Sequence, residues 1–301
     1  MTLLHVNAIG CLWSLADRNG PDLDTLLAEL PPGMPVPILV HGFRYAPEVA
    51  HRDPHRFILS HAETLADGDL PWPRHLGVSE AGPDLAIAFG WNAYGSFRRA
   101  RSEAARAGLA LAALIARIRA RSPGRRVTVL AHSLGARVVL SALPAVSAGD
   151  IARAVLLFPA VLRTEVAAAM ATGAGRTAEI VNVTSRENRL FDLCATLLAS
   201  GGLRRPIGRG LSGRYAGWCD LRIDCPETLG HLRGLGFRIG GRDRRICHWS
   251  SYMRPGVFAL YRALIADAVP LPLDRLAPSG RLPTAPGDWA APCDAAGFAV
   301  N

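Results

Sequence analysis

The run Val127-Thr128-Val129-Leu130-Ala131-His132-Ser133-Leu134-Gly135-Ala136-Arg137-Val138 passes from an apolar strand pattern through a serine into an apolar-periodic helix pattern. A serine at so sharp a turn stands above the strand end, at the N-terminus of a helix, where partial positive charge favours anions. The residues two before and two after it must be small because strand and helix approach each other there. Ala131 and Gly135 occupy those places. The chemistry this suggests is nucleophilic attack; the bland alternative is a serine that only caps a helix. A hydroxyl needs a base to take its proton, and a third group to orient that base. Upstream lies Val40-His41-Gly42-Phe43, and downstream stand His231 and His248 together with the carboxylates Glu165, Glu187 and Asp192.

These residues need a frame that brings them together. Strand-like and helix-like segments alternate, which predicts an α/β fold: a mainly parallel central sheet flanked by helices. Strands are expected at 3–9, 36–40, 84–90, 126–131, 151–158, 179–184 and 220–225. Helices are expected at 22–30, 96–121, 134–143, 188–198 and 256–266. The long helix carries Leu111, Leu114, Ile115 and Ile118 on one stripe and ends at Ser122-Pro123-Gly124. Residues 1–268 read as one domain, with lid or insert segments expected near 44–83 and 201–245. Residues 269–301 read as a Pro-rich tail.

Ala131-His132-Ser133-Leu134-Gly135 resembles the nucleophile elbow of the α/β-hydrolase superfamily, in its serine esterase and lipase branch. Ala131 replaces the first glycine of the strict pattern and is still small. The resemblance spans roughly residues 36–266. It implies an oxyanion hole made by the backbone N–H groups of Phe43 and Leu134, since a His-Gly after an early strand supplies one donor in that superfamily. It implies a base late in the chain, where His248, in Cys247-His248-Trp249-Ser250-Ser251-Tyr252 before the last helix, is preferred to His231. It implies an acid after a later strand. Glu187 holds that location, Asp192 is the alternative acid, and Glu165 is third. The implied activity is a serine hydrolase that cleaves a carboxylic ester, a thioester or amide also being open, through an acyl-enzyme on Ser133. An acyltransferase, and a catalytically silent binding protein, remain alternatives on the same fold. The partner is then a small-molecule acyl substrate, and Arg44, just after the His-Gly, could meet an anionic group on it.

Composition narrows the rivals. The formal net charge is +9, but the basic residues are spread along the chain and all are arginine; the 301 residues include no lysine. That favours coding bias over a nucleic-acid surface, so no nucleic-acid partner is expected. The six cysteines form no C-x-x-C pair and fit no zinc template, and His51-x-Asp53-x-His55 lacks a converging further ligand. No cofactor and no metal are expected. No apolar run reaches about 18 residues, so no integral membrane segment is expected. With no secretory signal in MTLLHVNAIG, a cytoplasmic protein with reduced thiols is the expectation.

Overall fold

The computed structural model describes residues 2–17, 19–63, 65, 70–78, 84–211 and 215–276. Its strands are β1 (Thr2–Ile9), β2 (Leu12–Leu15), β3 (Val36–Val40), β4 (Leu85–Gly90), β5 (Val127–His132), β6 (Arg153–Leu157), β7 (Glu179–Thr184) and β8 (Trp218–Arg222). They form one sheet in the order β2-β1-β4-β3-β5-β6-β7-β8. Only the β1–β2 pair is antiparallel. The other six pairings are parallel, with Val40 beside Ala131 and His132 beside Leu157. Strands β3, β4, β5 and β6 are buried along their whole length, as a parallel sheet covered on both faces requires.

The helices are α1 (Leu23–Glu29), α2 (Trp72–His75), α3 (Phe97–Arg121), α4 (Gly135–Ala142), α5 (Arg163–Met170), α6 (Gly173–Thr177), α7 (Arg189–Ser200), α8 (Pro226–Gly234), α9 (Ser250–Met253) and α10 (Val257–Ile265). Helices α1, α3, α4, α5 and α6 pack their apolar residues on one face of the sheet. Helices α2, α8, α9 and α10 cover the other. The fold is therefore the expected one. Among the described residues no helix is long and apolar enough to cross a membrane.

Some local expectations change. Segment 44–83 contributes Ile58, Leu59, Trp72 and Leu76 to the core beneath α10. Within 201–245 the chain builds β8 and α8. Periodicity did not show α8, because Gly230 and Gly234 interrupt its apolar spacing; His231 sits on this helix and contacts the Arg275 carbonyl. The hairpin strand β2, too short to show a period, was also not foreseen. Of the Pro-rich stretch, residues 277–301 lie outside the described residues. Leu273 and Leu276 before them are buried rather than loose. Cys225 is disulfide-bonded, contrary to the expectation of reduced thiols, whereas Cys11, Cys194, Cys219 and Cys247 are free.

The close approach of α3 and α4 depends on Gly108. A Cβ there would lie 2.5 Å from the Ser141 Cβ and 2.8 Å from the Val138 carbonyl. Overpacking such a contact costs typically about 1–3 kcal/mol. Gly108→Val should lower the unfolding free energy measured by urea denaturation by that amount; an unchanged value would show that the two helices do not touch at this residue.

Candidate active site

A parallel sheet gathers its chemistry at the carboxyl ends of its strands, where the loops meet. The loops after β3, β5, β6 and β7 do so here. Ser133 follows β5 with φ +53°, in the left-handed region that non-glycine residues seldom occupy. Its N–H donates to the Leu157 carbonyl at 2.9 Å, and its own carbonyl accepts from the Ala160 N–H at 3.0 Å. These bonds to the end of β6 hold the turn. Gly135 is required behind it, because a Cβ there would lie 2.5 Å from the His41 carbonyl oxygen. Gly42 is required in front, where a Cβ would lie 3.0 Å from the Cβ of Ser133.

The same packing brings His41-Gly42-Phe43 against the serine. His41 is fully buried and contributes structure. Its Nε2 accepts from the Trp91 N–H at 3.0 Å. Its Nδ1 must then carry the proton that is donated to the Gly42 carbonyl at 2.8 Å. In a trans peptide the N–H points opposite to the carbonyl. Pinning the Gly42 carbonyl onto His41 therefore turns the Phe43 N–H away from that histidine. Among the described residues, neither the Phe43 nor the Leu134 N–H donates a backbone hydrogen bond. Arg44 is exposed on this loop, with φ +82°.

His248 reaches the serine: its Nε2 lies 2.8 Å from Ser133 Oγ. Its loop is tethered on both sides. The Cys247 N–H donates to the Glu187 carbonyl at 3.1 Å, and His132 Nε2–H donates to the His248 carbonyl at 3.1 Å. Phe191 stacks on the imidazole at 4.7 Å.

The group on the far side of the imidazole is Asn188. Its Oδ1 lies 2.6 Å from His248 Nδ1, and its Nδ2 donates to Asp192 Oδ1 at 2.8 Å. The carboxylate decides which way the amide faces: Nδ2 can only donate and is spent on Asp192, so Oδ1 faces the histidine and accepts its Nδ1–H. The imidazole is thereby held as the tautomer whose Nε2 accepts the serine proton. Ser133, His248, Asn188 and Asp192 thus make one chain of hydrogen bonds.

Glu187, expected to orient the imidazole, does not touch His248. Its carboxylate accepts from Ser250 Oγ at 2.7 Å and Ser185 Oγ at 3.1 Å and pairs with Arg254. Burial pushes its pKa up, yet these hydrogen bonds and the Arg254 charge outweigh burial and hold it below the usual range. Glu187 is an anchor between the end of β7 and α9. Glu165 is also elsewhere, paired with Arg101 at 2.6 Å and with Arg137. Asp192 joins the chain one residue removed from the imidazole. Asn188 was not among the expected residues, because it is an amide at a position where the superfamily pattern implies a carboxylate. Its spacing of four from Asp192 on one helix face was the available signal.

The electrostatics favour neutral imidazoles. Burial, then the neighbouring His132, lowers the pKa of His248 well below its ordinary value. Burial lowers His132 itself to about 4. Asp192 moves the other way, raised to about 7 by burial against the opposing effects of Asn188, Arg209 and Arg189. His51, Asp53 and His55 stand apart from this site. Asp53 caps a turn, while His55 bonds Asn7 at 2.7 Å and stacks on His5.

A mostly parallel eight-stranded sheet, with a serine at the tight turn after β5 and a histidine against it, is the architecture of an α/β hydrolase. The family described as alpha/beta hydrolase of unknown function (DUF900) matches residues 35–199, more than half of the chain, and the chain belongs to it. That span contains Ser133, Asn188 and Asp192 but ends before His248. A search of curated proteins found no match.

The raised pKa of Asp192 has a consequence for stability. Unfolded, the carboxyl ionises near 3.8; folded, near 7. The folded state then binds the extra proton between those values, so its stability is full below about pH 4 and falls as pH rises through about 7. At about 1.4 kcal/mol per unit, Asp192→Asn should gain on the wild type by up to about 4 kcal/mol between pH 4 and 8. Urea denaturation at both ends of that range measures it; parallel stability curves would rule out a raised Asp192.

Proposed function

We propose that the chain is a serine hydrolase that cleaves a carboxylic ester through an acyl-enzyme on Ser133. The observation that carries the reading is the 2.8 Å approach of His248 Nε2 to Ser133 Oγ, with the other ring nitrogen 2.6 Å from Asn188 Oδ1. In the first half-reaction Ser133 Oγ attacks the ester carbonyl as His248 takes the hydroxyl proton. The carbonyl oxygen becomes an oxyanion, and the Phe43 and Leu134 N–H groups are its proposed donors. One such donor is worth typically about 2.7–4 kcal/mol of barrier. The tetrahedral adduct collapses, the C–O bond to the alcohol breaks, and His248 hands its proton to the leaving oxygen. In the second half-reaction water gives a proton to His248 and attacks the acyl-enzyme; the adduct collapses, its bond to Ser133 Oγ breaks, and His248 returns the proton to that oxygen as the carboxylic acid leaves.

Asn188 takes the place expected of Glu187. A neutral amide fixes the tautomer as a carboxylate does, but stabilises the imidazolium less. Two features compensate in this reading. Asp192 bonds the Asn188 amide from behind, and the buried imidazole remains neutral, the form that a base needs, at pH values below its ordinary range. The rim around the site supports an acyl substrate: Phe191 covers the imidazole, while the half-exposed Trp249 packs beside it.

A fluorophosphonate probe should label the wild-type protein at Ser133, and Ser133→Ala should lose both labelling and ester hydrolysis; an unlabelled wild type would refute the hydrolase reading. A second prediction concerns Asn188. In Asn188→Asp a negative charge meets Nδ1 and favours the imidazolium, so the pKa of His248 rises. The acidic limb of kcat/KM should move upward by about one unit or more. A limb at the wild-type position would mean that residue 188 does not face the base during turnover.

A further inference from the structure

Helix α7 is turned inside out. The residues it buries are Asp192 and Thr196, while Leu190, Leu193, Leu197 and Leu198 on its outer side are each about half exposed. A helix buries polar groups at a cost unless they have partners. Asn188 and Thr196 meet that need for Asp192 only in part. Thr196 Oγ1 bonds the Asp192 main-chain carbonyl, leaving the carboxylate with Asn188. Beyond the carboxylate is a cavity of about 170 Å³, bounded by the start of α7, the 202–209 loop and the end of β8. That is well above the roughly 15 Å³ needed to hold one water.

The lining is cationic. Arg186, Arg189, Arg204, Arg205, Arg209 and Arg222 all border this cavity, with Asp192 as its one acidic residue. Arg222 is already paired with Asp224 at 3.2 Å, and Arg204 donates to Thr164 Oγ1 at 3.1 Å. Arg189, Arg205 and Arg209 have no ion pair among the described residues. Like charges held this close repel one another. The N-terminus of α7 adds to the positive potential, since Asn188 is held by His248 and Asp192 and makes no cap hydrogen bond. Planar guanidinium groups around a concave wall match the oxygens of a phosphate or carboxylate, which can accept two parallel N–H bonds from each.

We propose that this arginine-lined cavity binds a phosphate or carboxylate group, next to the Asp192 end of the chain that leads to Ser133. The group belongs either to the substrate itself or to a separate small anion. Binding is independent of the ester-hydrolase reading, because a protein that cannot turn over still binds. The chemistry differs from a nucleic-acid surface, since the arginines line one cavity rather than a stripe.

The test uses the full chain carrying Ser133→Ala, titrated calorimetrically with inorganic phosphate at constant ionic strength. Phosphate should bind, and Arg205→Ala/Arg209→Ala should weaken it at least tenfold. Arg106→Ala, on the exposed side of α3, should leave it unchanged. Above pH 7, where Asp192 is ionised, Asp192→Asn removes the opposing negative charge and should tighten binding, an effect that misfolding would not produce. With Ser133 restored, two ester series separate the sources. If the double variant raises KM at least tenfold for carboxylate-bearing esters and spares neutral ones, the anion is part of the substrate. If phosphate alters the KM of neutral esters in the wild type, the anion is a separate ligand. Absence of phosphate binding, or binding equally strong in the double arginine variant, would overturn the proposal. Anion binding in a protein that the fluorophosphonate fails to label would sink the hydrolase reading alone.

Discussion

Ser133 is held at φ +53°, a conformation that costs a non-glycine residue roughly 1–2 kcal/mol. Much of the surrounding structure exists to keep it there. The turn can be this tight only if β5 and α4 approach without a side chain between them, which selects Gly135. It can face the β3 loop only if that loop approaches equally closely, which selects Gly42. The carbonyl of Leu157 and the N–H of Ala160 then complete the hydrogen bonding that the irregular backbone would otherwise leave unmet. Once the serine is fixed, the loops after β3 and β6 have little freedom, because each touches it.

Burial is the second organising influence, and it acts on different groups in opposite directions. It keeps His41, His132 and His248 neutral, and it pushes Asp192 toward the protonated form. Glu187 escapes, because Arg254 and two serines surround it in the interior. A buried carboxylate with an arginine partner stays charged and serves as an anchor; one without such a partner becomes titratable near neutrality. Two carboxyl groups five residues apart in sequence therefore have opposite characters. Asn188 lies between them in the chain, and it alone reaches the imidazole.

The inverted polarity of α7 follows from the same arrangement. The helix must present Asp192 inward to hold Asn188, so its leucines remain outside. Local propensity and burial disagree on this helix, and such disagreements concentrate at functional sites.

Much of the fold was legible in the residues. Continuous apolar runs such as Val36-Pro37-Ile38-Leu39-Val40 mark strands buried on both faces, and their alternation with helical stripes implies a parallel sheet. Ser133 was legible too, because steric demands at a tight turn leave a trace in neighbouring small residues. His248 followed from its place in chain order. The partner of the imidazole was not legible. Glu187, Asn188 and Asp192 lie within six positions, and any of them could in principle reach His248. The choice depends on where Arg254 and Ser250 come to rest, more than sixty residues further along the chain, since they claim Glu187 and leave Asn188 facing the ring. Sequence alone determined the strands of the parallel sheet, the tight turn and the serine on it, because these arise from local sterics and periodicity. Tertiary structure decided which side chain faces the imidazole of His248, because that is a competition among groups brought together only by packing.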